Sequence, residues 1–332
     1  MIATRWRQRR ADGGNVMTRI AIAAAALALA SGTAAAAEMA FYQLPGGAYP
    51  HDVAPAPDGT VWISGQRQGF AGRFDPKTGQ LEKIALGPGA APHGVIVGPD
   101  GNAWLTEGGQ NAIARVDAKS KDVKLFPLPK EFPGVNLNTL AFDNRGKLWF
   151  TGYGGVYGRV DPGSGKVDAW KAPKGAGPYG MTGTPSGDVW YASLAGDHIT
   201  RIDTASGAAT VVDPPRKGVG PRRIWSDSKG VLWVSFWNAG AIGRYDPAAR
   251  GWTIYPMPQS KSGTYSVYVD DKDRVWATDW VANAIQRFDP VTESYATFPS
   301  DKRGANVRQM LGRPGEAWGG ESGTDRLVVI RD

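Results

Sequence analysis

The sequence contains no cysteine, and only 3 of its 332 residues are histidine. The absence of cysteine excludes disulfides, thiolate zinc sites, iron–sulfur clusters and cysteine nucleophiles. After residue 37 there is also no apolar run long enough to span a bilayer, so no membrane span is predicted there. Charged residues make up 21% of the chain and apolar residues 42%, which is typical of a folded globular protein and excludes long disorder.

Strong positive charge is also missing from most of the chain. The net charge is +7, but the first 37 residues contain five of the arginines and only one acid, Asp12. The remaining excess is small and is not clustered. Nucleic acid is therefore not a predicted partner.

Residues 1–37 have the features of a secretory leader. From Met17 the chain continues with the basic residue Arg19, the apolar run Ile20–Ala30 and a small-residue cleavage site that ends at Ala37. We predict that translation starts at Met17 and that cleavage follows Ala37. The mature protein, residues 38–332, is then expected to be periplasmic or secreted.

Tryptophan recurs at steps of 41 to 45 residues, at Trp62, Trp104, Trp149, Trp190, Trp233, Trp276 and Trp318. Each tryptophan follows a strand-like stretch and an Asp/Gly turn, and it precedes an element such as Gly72–Pro76, which reads Gly-Arg-Phe-Asp-Pro. Another short apolar run, such as Leu81–Leu86, comes next. Each repeat thus contains four strand-like elements separated by turn residues.

Four strands in each repeat of this length predict an all-β fold, a seven-bladed β-propeller with four-stranded blades. There are seven tryptophan strands but only six of the last apolar runs, and Phe41–Pro45 resembles the missing one. We expect this N-terminal strand to complete the last blade and close the ring, which removes exposed sheet edges. The repeated tryptophans are expected to pack between blades in a single, monomeric domain.

Two positions in each repeat are predicted to lie at one mouth of the central channel. The first is the second residue of the first strand, and around the ring it is His51, His93, Asn138, Tyr179, Arg222, Tyr265 and Arg308. The second lies three residues after the tryptophan, where the acids are Glu107, Asp279 and Glu321. Trp237 and Trp280 are expected near the same rim.

These residue types indicate a small-molecule site. Carboxylates with imidazoles can hold a divalent cation or transfer a proton. Arginine and tyrosine can anchor a carbonyl or carboxylate, and tryptophan can stack on a ring or a sugar. The alternative interpretation is that a propeller mouth is polar simply because water fills it.

The stretch Pro92–Glu107, which reads PHGVIVGPDGNAWLTE, resembles the blade consensus of the streptogramin B lyases, the virginiamycin B lyase family. Trp233–Asp246 and Trp276–Asp289 resemble it as well, and the resemblance extends over all seven repeats. It implies a seven-bladed propeller and a magnesium-assisted lyase that opens a cyclic depsipeptide by β-elimination across the ester.

The resemblance also implies roles for particular residues. In the family, a glutamate just before the Pro-His pair and the glutamate after the tryptophan hold the metal. The histidine of the pair is the general acid or base, and a histidine on the preceding blade assists it. The matching residues here are Glu107, His93 and His51, whereas Ala91 stands in place of the first glutamate.

Three functions remain open at this point. The first is a lyase that binds Mg²⁺ or another divalent cation at Glu107 with Asp279 or Glu321, and that uses His93 to carry the proton. The second is a non-catalytic exported propeller that binds a small ligand, a sugar or a peptide at the mouth. The third, a calcium-dependent lactonase-type hydrolase, fits less well because those propellers usually have six blades.

Overall fold

The computed structural model describes residues 37–332, which fold into 28 β-strands in seven four-stranded antiparallel sheets. No helix occurs among these residues, and so none that could cross a membrane. The predicted leader lies outside the described residues except for Ala37. The all-β, seven-bladed architecture predicted from the tryptophan repeat is confirmed.

Each blade contains four consecutive strands, except that the last blade takes one strand from the N-terminus. Grouped by blade, the strands are β2 (Pro50–Pro55), β3 (Val61–Gly65), β4 (Phe70–Asp75) and β5 (Gln80–Ala85) in blade 1; β6 (Pro92–Val97), β7 (Ala103–Glu107), β8 (Ala112–Val116) and β9 (Val123–Pro127) in blade 2; β10 (Leu137–Phe142), β11 (Leu148–Gly152), β12 (Val156–Val160) and β13 (Val167–Lys171) in blade 3; β14 (Pro178–Gly183), β15 (Val189–Ser193), β16 (His198–Ile202) and β17 (Ala209–Val212) in blade 4; β18 (Pro221–Ser226), β19 (Leu232–Phe236), β20 (Ala241–Asp246) and β21 (Gly251–Pro256) in blade 5; β22 (Thr264–Val269), β23 (Val275–Asp279), β24 (Ala284–Asp289) and β25 (Ser294–Pro299) in blade 6; and β26 (Val307–Arg313), β27 (Glu316–Glu321) and β28 (Arg326–Arg331) with β1 (Glu38–Gln43) in blade 7.

The ring closes through the antiparallel pairing of β1 with β28, in which Phe41 lies opposite Val328. Closure by the N-terminal strand is therefore confirmed, although the strand begins and ends slightly earlier than the predicted Phe41–Pro45. The first strand of blade 1, β2, packs against β26 and β27 of blade 7. The first and last strands of the described residues thus meet in one blade.

The repeated tryptophans are buried between neighbouring blades, as the repeat predicts. Trp104 stacks on Phe126 of its own blade and meets Phe142 of the next blade edge-on. Trp233 likewise stacks on Tyr255 of its own blade and contacts Phe288 of the next at a tilt of 57°. Because large aromatic rings bury much apolar surface, these contacts are a major part of the interface between blades.

Every innermost strand contains a β-bulge directly after its first residue. In β2 the pairing with β3 passes from Pro50 to Val53, and the same shift occurs in the first strands of the other six blades. A bulge leaves residues unpaired and changes the direction of their side chains. As a result, two consecutive residues from one blade can both reach the channel, as His51 and Asp52 do.

A hydroxyl group on the second strand connects each of several bulges to the next blade. Thr106 Oγ1 accepts a hydrogen bond from the Gly94 amide, 2.7 Å away, and donates one to the Asn138 carbonyl, 2.6 Å away. The same two contacts recur in blades 1, 3 and 5 through Ser64, Thr151 and Ser235. The hydroxyl therefore fixes the bulge and the neighbouring channel residue together.

The two openings of the channel differ in chemistry. The ends of the innermost strands farther from the bulges surround a cavity of about 430 Å³, to which the aromatic residues Phe142, Trp225 and Tyr268 contribute. The bulges, with their charged and polar side chains, surround the other opening, which we call the histidine mouth.

Candidate functional site

The histidine mouth brings together the seven residues predicted for the first position of each repeat. The rings of His51 and His93 lie 3.8 Å apart between centroids. Arg308 Nη1 is 3.0 Å from His51 Nε2, although the two residues are 257 positions apart in the sequence. Tyr265 contacts Arg308 and Tyr179. Residues from the start and the end of the chain thus converge at this mouth, but the end of the chain contributes Arg308 rather than the predicted acids.

The hydrogen bonds of the two histidines assign the same tautomer to both rings. His51 Nδ1 is 2.9 Å from the Asp52 carboxylate, and its Nε2 faces the donor group of Arg308. His93 Nδ1 is 3.1 Å from the Asn138 carbonyl oxygen, and its Nε2 is 3.3 Å from the Asn138 side-chain amide. Because Nδ1 meets an acceptor and Nε2 a donor in each case, the proton is assigned to Nδ1.

Both histidines are neutral at neutral pH. Burial lowers the pKa of His51 well below 6.5, and the charges of Arg308, Arg223 and Arg222 lower it further. Burial likewise lowers the pKa of His93, with a smaller contribution from His51. Each Nε2 therefore carries a lone pair that can accept a proton.

A buried ion pair crosses the channel below the histidines. Arg223 Nη2 lies 3.3 Å from both carboxylate oxygens of Asp52, and Arg223 Nη1 donates to Thr139 Oγ1 at 2.6 Å. Arg223 and Asp52 are almost completely buried. Asp52 and Thr139 were not among the predicted site residues; they occupy the bulge position that follows His51 and Asn138.

Arginine and aromatic side chains form the remaining wall. The Arg222 guanidinium lies 3.8 Å from the centroid of Tyr265 and 4.6 Å from those of Tyr179 and Trp237. Trp280 stacks on Tyr265 with centroids 4.6 Å apart and an interplanar angle of 6°. The structure thus places both predicted rim tryptophans against the mouth, where Trp237 and Trp280 make cation–π contacts with guanidinium groups.

The charges in the mouth are not balanced. The guanidinium groups of Arg222, Arg223 and Arg308 face a single carboxylate, that of Asp52, because both histidines are neutral. Within residues 37–332, the buried Nε atoms of Arg222 and Arg223 have no hydrogen-bond partner. Buried charge without a counterion is costly, so the arrangement is suited to binding an anionic group.

The three predicted metal-binding acids do not join the histidines. Glu107 Oε1 accepts hydrogen bonds from the amides of Ala91 and Gly109, at 2.7 and 2.8 Å. Asp279 accepts from Ser260, and Glu321 pairs with Arg326. The three acids share one position in the repeat and occupy the same end of their blades, but each side chain is held by neighbouring loop or strand residues.

Strand alternation explains the direction of Glu107. Thr106 faces blade 3, where it contacts Asn138, so the next residue faces the opposite side of the sheet. Burial raises the pKa of Glu107, whose second carboxylate oxygen has no partner among the described residues. The carboxylate therefore binds amides of the adjacent loops and does not face the channel.

The residues at the mouth do not fit Mg²⁺, which prefers several oxygen ligands and keeps bound water. Among residues 37–332, the one group of three metal-capable side chains is His51, Asp52 and His93. Its only carboxylate already contacts His51 and Arg223, and the positive charges of Arg222 and Arg308 also act on the group. Ala91 also removes one carboxylate that the family resemblance implies.

Comparison with known proteins gives a family and a fold. The model of the virginiamycin B lyase family matches residues 87–332. Comparison with curated protein sequences gives no match. A streptogramin B lyase structure is 20% identical with a TM-score of 0.82, and the match covers 89% of this chain and 97% of that chain.

Two structures of virginiamycin B lyase from Staphylococcus aureus are also similar. The selenomethionine-substituted protein is 20% identical with a TM-score of 0.82, and a catalytically inactive histidine-to-alanine variant with quinupristin is 22% identical with a TM-score of 0.81. Both matches cover 89% of this chain and 99% of the other chain. At these identities the solved structures establish the fold, while the family model matches most of the sequence, and the chain therefore belongs to the virginiamycin B lyase family.

Proposed function

We propose that the protein is a lyase-like enzyme that binds a small ester, lactone or carboxylate at the histidine mouth and eliminates its β-oxygen substituent. The observation that carries the proposal is the group of three arginines opposed by one buried carboxylate, next to two neutral histidines. An acyl oxygen is a natural partner for such arginines. Neutral imidazoles are suitable proton acceptors.

The arginines would bind the acyl group and stabilise charge on it. The unpartnered Nε–H groups of Arg222 and Arg223 are donors without an acceptor among the described residues. A substrate oxygen placed between them would receive hydrogen bonds that strengthen as an enolate develops. In this proposal guanidinium groups take the role that a metal ion would otherwise have.

His93 is the better placed of the two histidines to accept the proton. Its Nε2 has only one contact, a long one of 3.3 Å to the Asn138 amide, whereas His51 Nε2 is held by Arg308 at 3.0 Å. The proton leaves the carbon next to the acyl group, and its bonding electrons form the carbon–carbon double bond. The bond from the β-carbon to oxygen then breaks, and the proton ends on that oxygen.

A second candidate function is binding without catalysis. Both Nε2 lone pairs already accept a hydrogen bond, from Arg308 and Asn138, which favours a mouth that is built to hold an anion rather than to move a proton. Both functions require the arginines. Only the lyase requires His93 to release its contact with Asn138.

We also propose that the protein works outside the cytoplasm, as a monomer. The leader features of residues 1–37 support export, and the closed ring supports a monomer because it leaves no blade incomplete. Signal-peptide cleavage after Ala37 can be checked by mass spectrometry of the exported protein.

Calorimetry with malonate, a small dicarboxylate, tests the anion site. Replacing Arg222 or Arg308 by glutamine should weaken malonate binding about 10- to 100-fold, because a hydrogen bond to a charged group contributes about 1.5–3 kcal/mol. Arg201→Gln is the matched control, because Arg201 is an exposed arginine paired with Asp188 outside the mouth. Equal affinities for all three variants and the wild type would contradict the proposal.

Turnover distinguishes the two candidate functions. Quinupristin is a suitable ester probe, and elimination is detected by the ultraviolet absorbance of the new double bond. Turnover that is lost in His93→Gln but not in His198→Gln would support the lyase. Malonate binding with no turnover of quinupristin or simpler β-acyloxy esters would favour the second candidate.

A further inference from the structure

Two buried tyrosines, from the blades before and after that of Arg222, form a hydrogen-bonded pair. Tyr179 of blade 4 and Tyr265 of blade 6 approach with their hydroxyl oxygens 3.1 Å apart. Tyr179 is 7% exposed and Tyr265 is fully buried. Neither phenol has a role in the elimination proposed above.

The other partners of both hydroxyl oxygens are hydrogen-bond donors. Arg222 Nη2 donates to the Tyr179 oxygen at 2.8 Å, and Arg308 Nη1 donates to the Tyr265 oxygen at 3.2 Å. Arginine has no acceptor atom. One phenolic proton can lie between the two oxygens, but a second proton would have no acceptor among the described residues. The geometry therefore favours a pair that holds one proton.

We infer that Tyr179 and Tyr265 share a single proton in mildly alkaline solution and then act as an internal counterion of the arginines, which an anionic ligand replaces with uptake of one proton. The counterion role rests on the anion binding proposed above. The shared proton rests only on the contacts of the two phenols. The two parts can therefore fail separately.

Charged groups on the surrounding strands support this assignment. Burial would raise the pKa of Tyr265, but the guanidinium groups of Arg222, Arg223 and Arg308 outweigh it and lower that pKa to about 8. Burial and the neighbouring Tyr265 raise the pKa of Tyr179 to about 12. The titratable and charged groups that face the pair are Asp52 and His51 on β2, His93 on β6, Tyr153 after β11, Arg222 and Arg223 on β18, Arg308 on β26, and Tyr49 before β2.

A buried tyrosine away from the arginines behaves in the opposite way. Burial raises the pKa of Tyr191 to about 12, and no guanidinium group opposes that effect. The lowered pKa of Tyr265 is thus caused by the nearby arginines and not by burial. Tyr191 provides a matched control for the measurements below.

The sign of the coupling to a ligand follows from charge. A bound anion stabilises the protonated, neutral pair and raises the pKa of Tyr265. Malonate binding should therefore take up a proton at pH values near and above 8, and affinity should fall as the phenolate forms.

The ultraviolet absorbance of tyrosinate tests the pair in the ligand-free protein. We expect one tyrosine to ionise near pH 8, and we expect this step to be lost in Tyr265→Phe and retained in Tyr191→Phe. Tyr179→Phe, which removes the shared proton, should move the step. If every tyrosine in the folded protein ionises at about pH 10 or above, the inference is wrong.

Saturating malonate tests the counterion role. The ionisation step should move to higher pH, and the calorimetric enthalpy near pH 8 should depend on the ionisation enthalpy of the buffer. Malonate that binds without moving the step would overturn the counterion role and leave the proposed anion site intact. If malonate does not bind while the step near pH 8 is present, the proposed function and the counterion role fail, and the shared proton stands.

Discussion

His51 and His93 are neutral in the folded protein because burial and nearby arginines oppose a positive charge. In the unfolded chain they would protonate near pH 6.5. Below that pH the unfolded state therefore binds more protons than the folded state. The free energy of unfolding should fall as pH drops below 6.5, by up to about 1.4 kcal/mol per pH unit for each histidine. Urea unfolding on either side of that pH measures the effect.

A matched pair of variants assigns this pH dependence to the mouth. His93→Gln should reduce the slope of unfolding free energy against pH. His198→Gln should preserve the part that comes from the mouth, because His198 lies in blade 4 with its Nδ1 2.9 Å from the Gly196 carbonyl. A slope that is identical in the wild type and in His93→Gln would contradict the neutral state assigned to His93.

Some residues of the mouth could be predicted from the sequence, and others could not. All seven first positions were predicted, because each occupies the same place in a recognisable repeat. Asp52 and Thr139 were missed, because a bulge turns a second residue into the channel and a strict two-residue alternation does not anticipate that. Two adjacent polar residues after a proline, as in His51-Asp52 and Arg222-Arg223, are a signal that could have revealed it.

At the scale of strands, the hydroxyl of Thr106 holds a bulge and two blades together. Thr106→Val keeps the side-chain volume but leaves the Gly94 amide and the Asn138 carbonyl without this partner. We expect a loss of about 1–3 kcal/mol in the free energy of unfolding, measured by urea titration. Malonate binding should weaken as well, because Asn138 contacts His93.

Thr106→Ser is the control for this prediction, because it keeps the hydroxyl group. Its free energy of unfolding should stay within about 1 kcal/mol of the wild type, which reflects only the lost methyl group. If the valine and serine variants were equally stable, the hydrogen bonds of Thr106 would not be the stabilising feature.

Strand positions were well predicted because the repeat supplies seven copies of one pattern. The direction in which the acidic side chains point was harder to predict. Glu107 follows Thr106 on β7, so it faces the opposite side of the blade, where loop amides donate hydrogen bonds to its carboxylate. A sequence pattern places a residue at the end of a strand but does not state which neighbours will bind its side chain.

For the whole molecule, the pairing of β1 with β28 is the step that closes the ring. The chain has no cysteine, so a pair introduced by Ala40→Cys and Val329→Cys would contain its only thiols. These residues lie directly opposite each other in the two strands. The oxidised variant should gain about 2–4 kcal/mol in free energy of unfolding over its reduced form.

Reduction of the same variant is the internal control, and Ala40→Cys alone shows the effect of one substitution. The unfolding midpoint in urea should rise only in the oxidised double variant. An oxidised protein that is no more stable than the reduced one would indicate that opening of the ring between β1 and β28 does not limit stability.

The ring itself could be predicted because each repeat adds one blade, and seven blades close on themselves. The positive charge of the histidine mouth could not be predicted from the sequence. The excess of positive charge after residue 37 is small, yet three arginines from blades 5 and 7 gather in a mouth that contains a single carboxylate, from blade 1. Net charge counts residues and contains no information on which of them the fold brings together.

Blade 7 is assembled from both ends of the chain, and its residue Arg308 reaches His51 of blade 1. A ribosome makes β1 first and β28 last, so the wall of the mouth is finished only after nearly all of the polypeptide has been synthesised. A product that terminates before Arg308 would lack this wall altogether. The malonate binding proposed above would therefore require a chain that extends into blade 7.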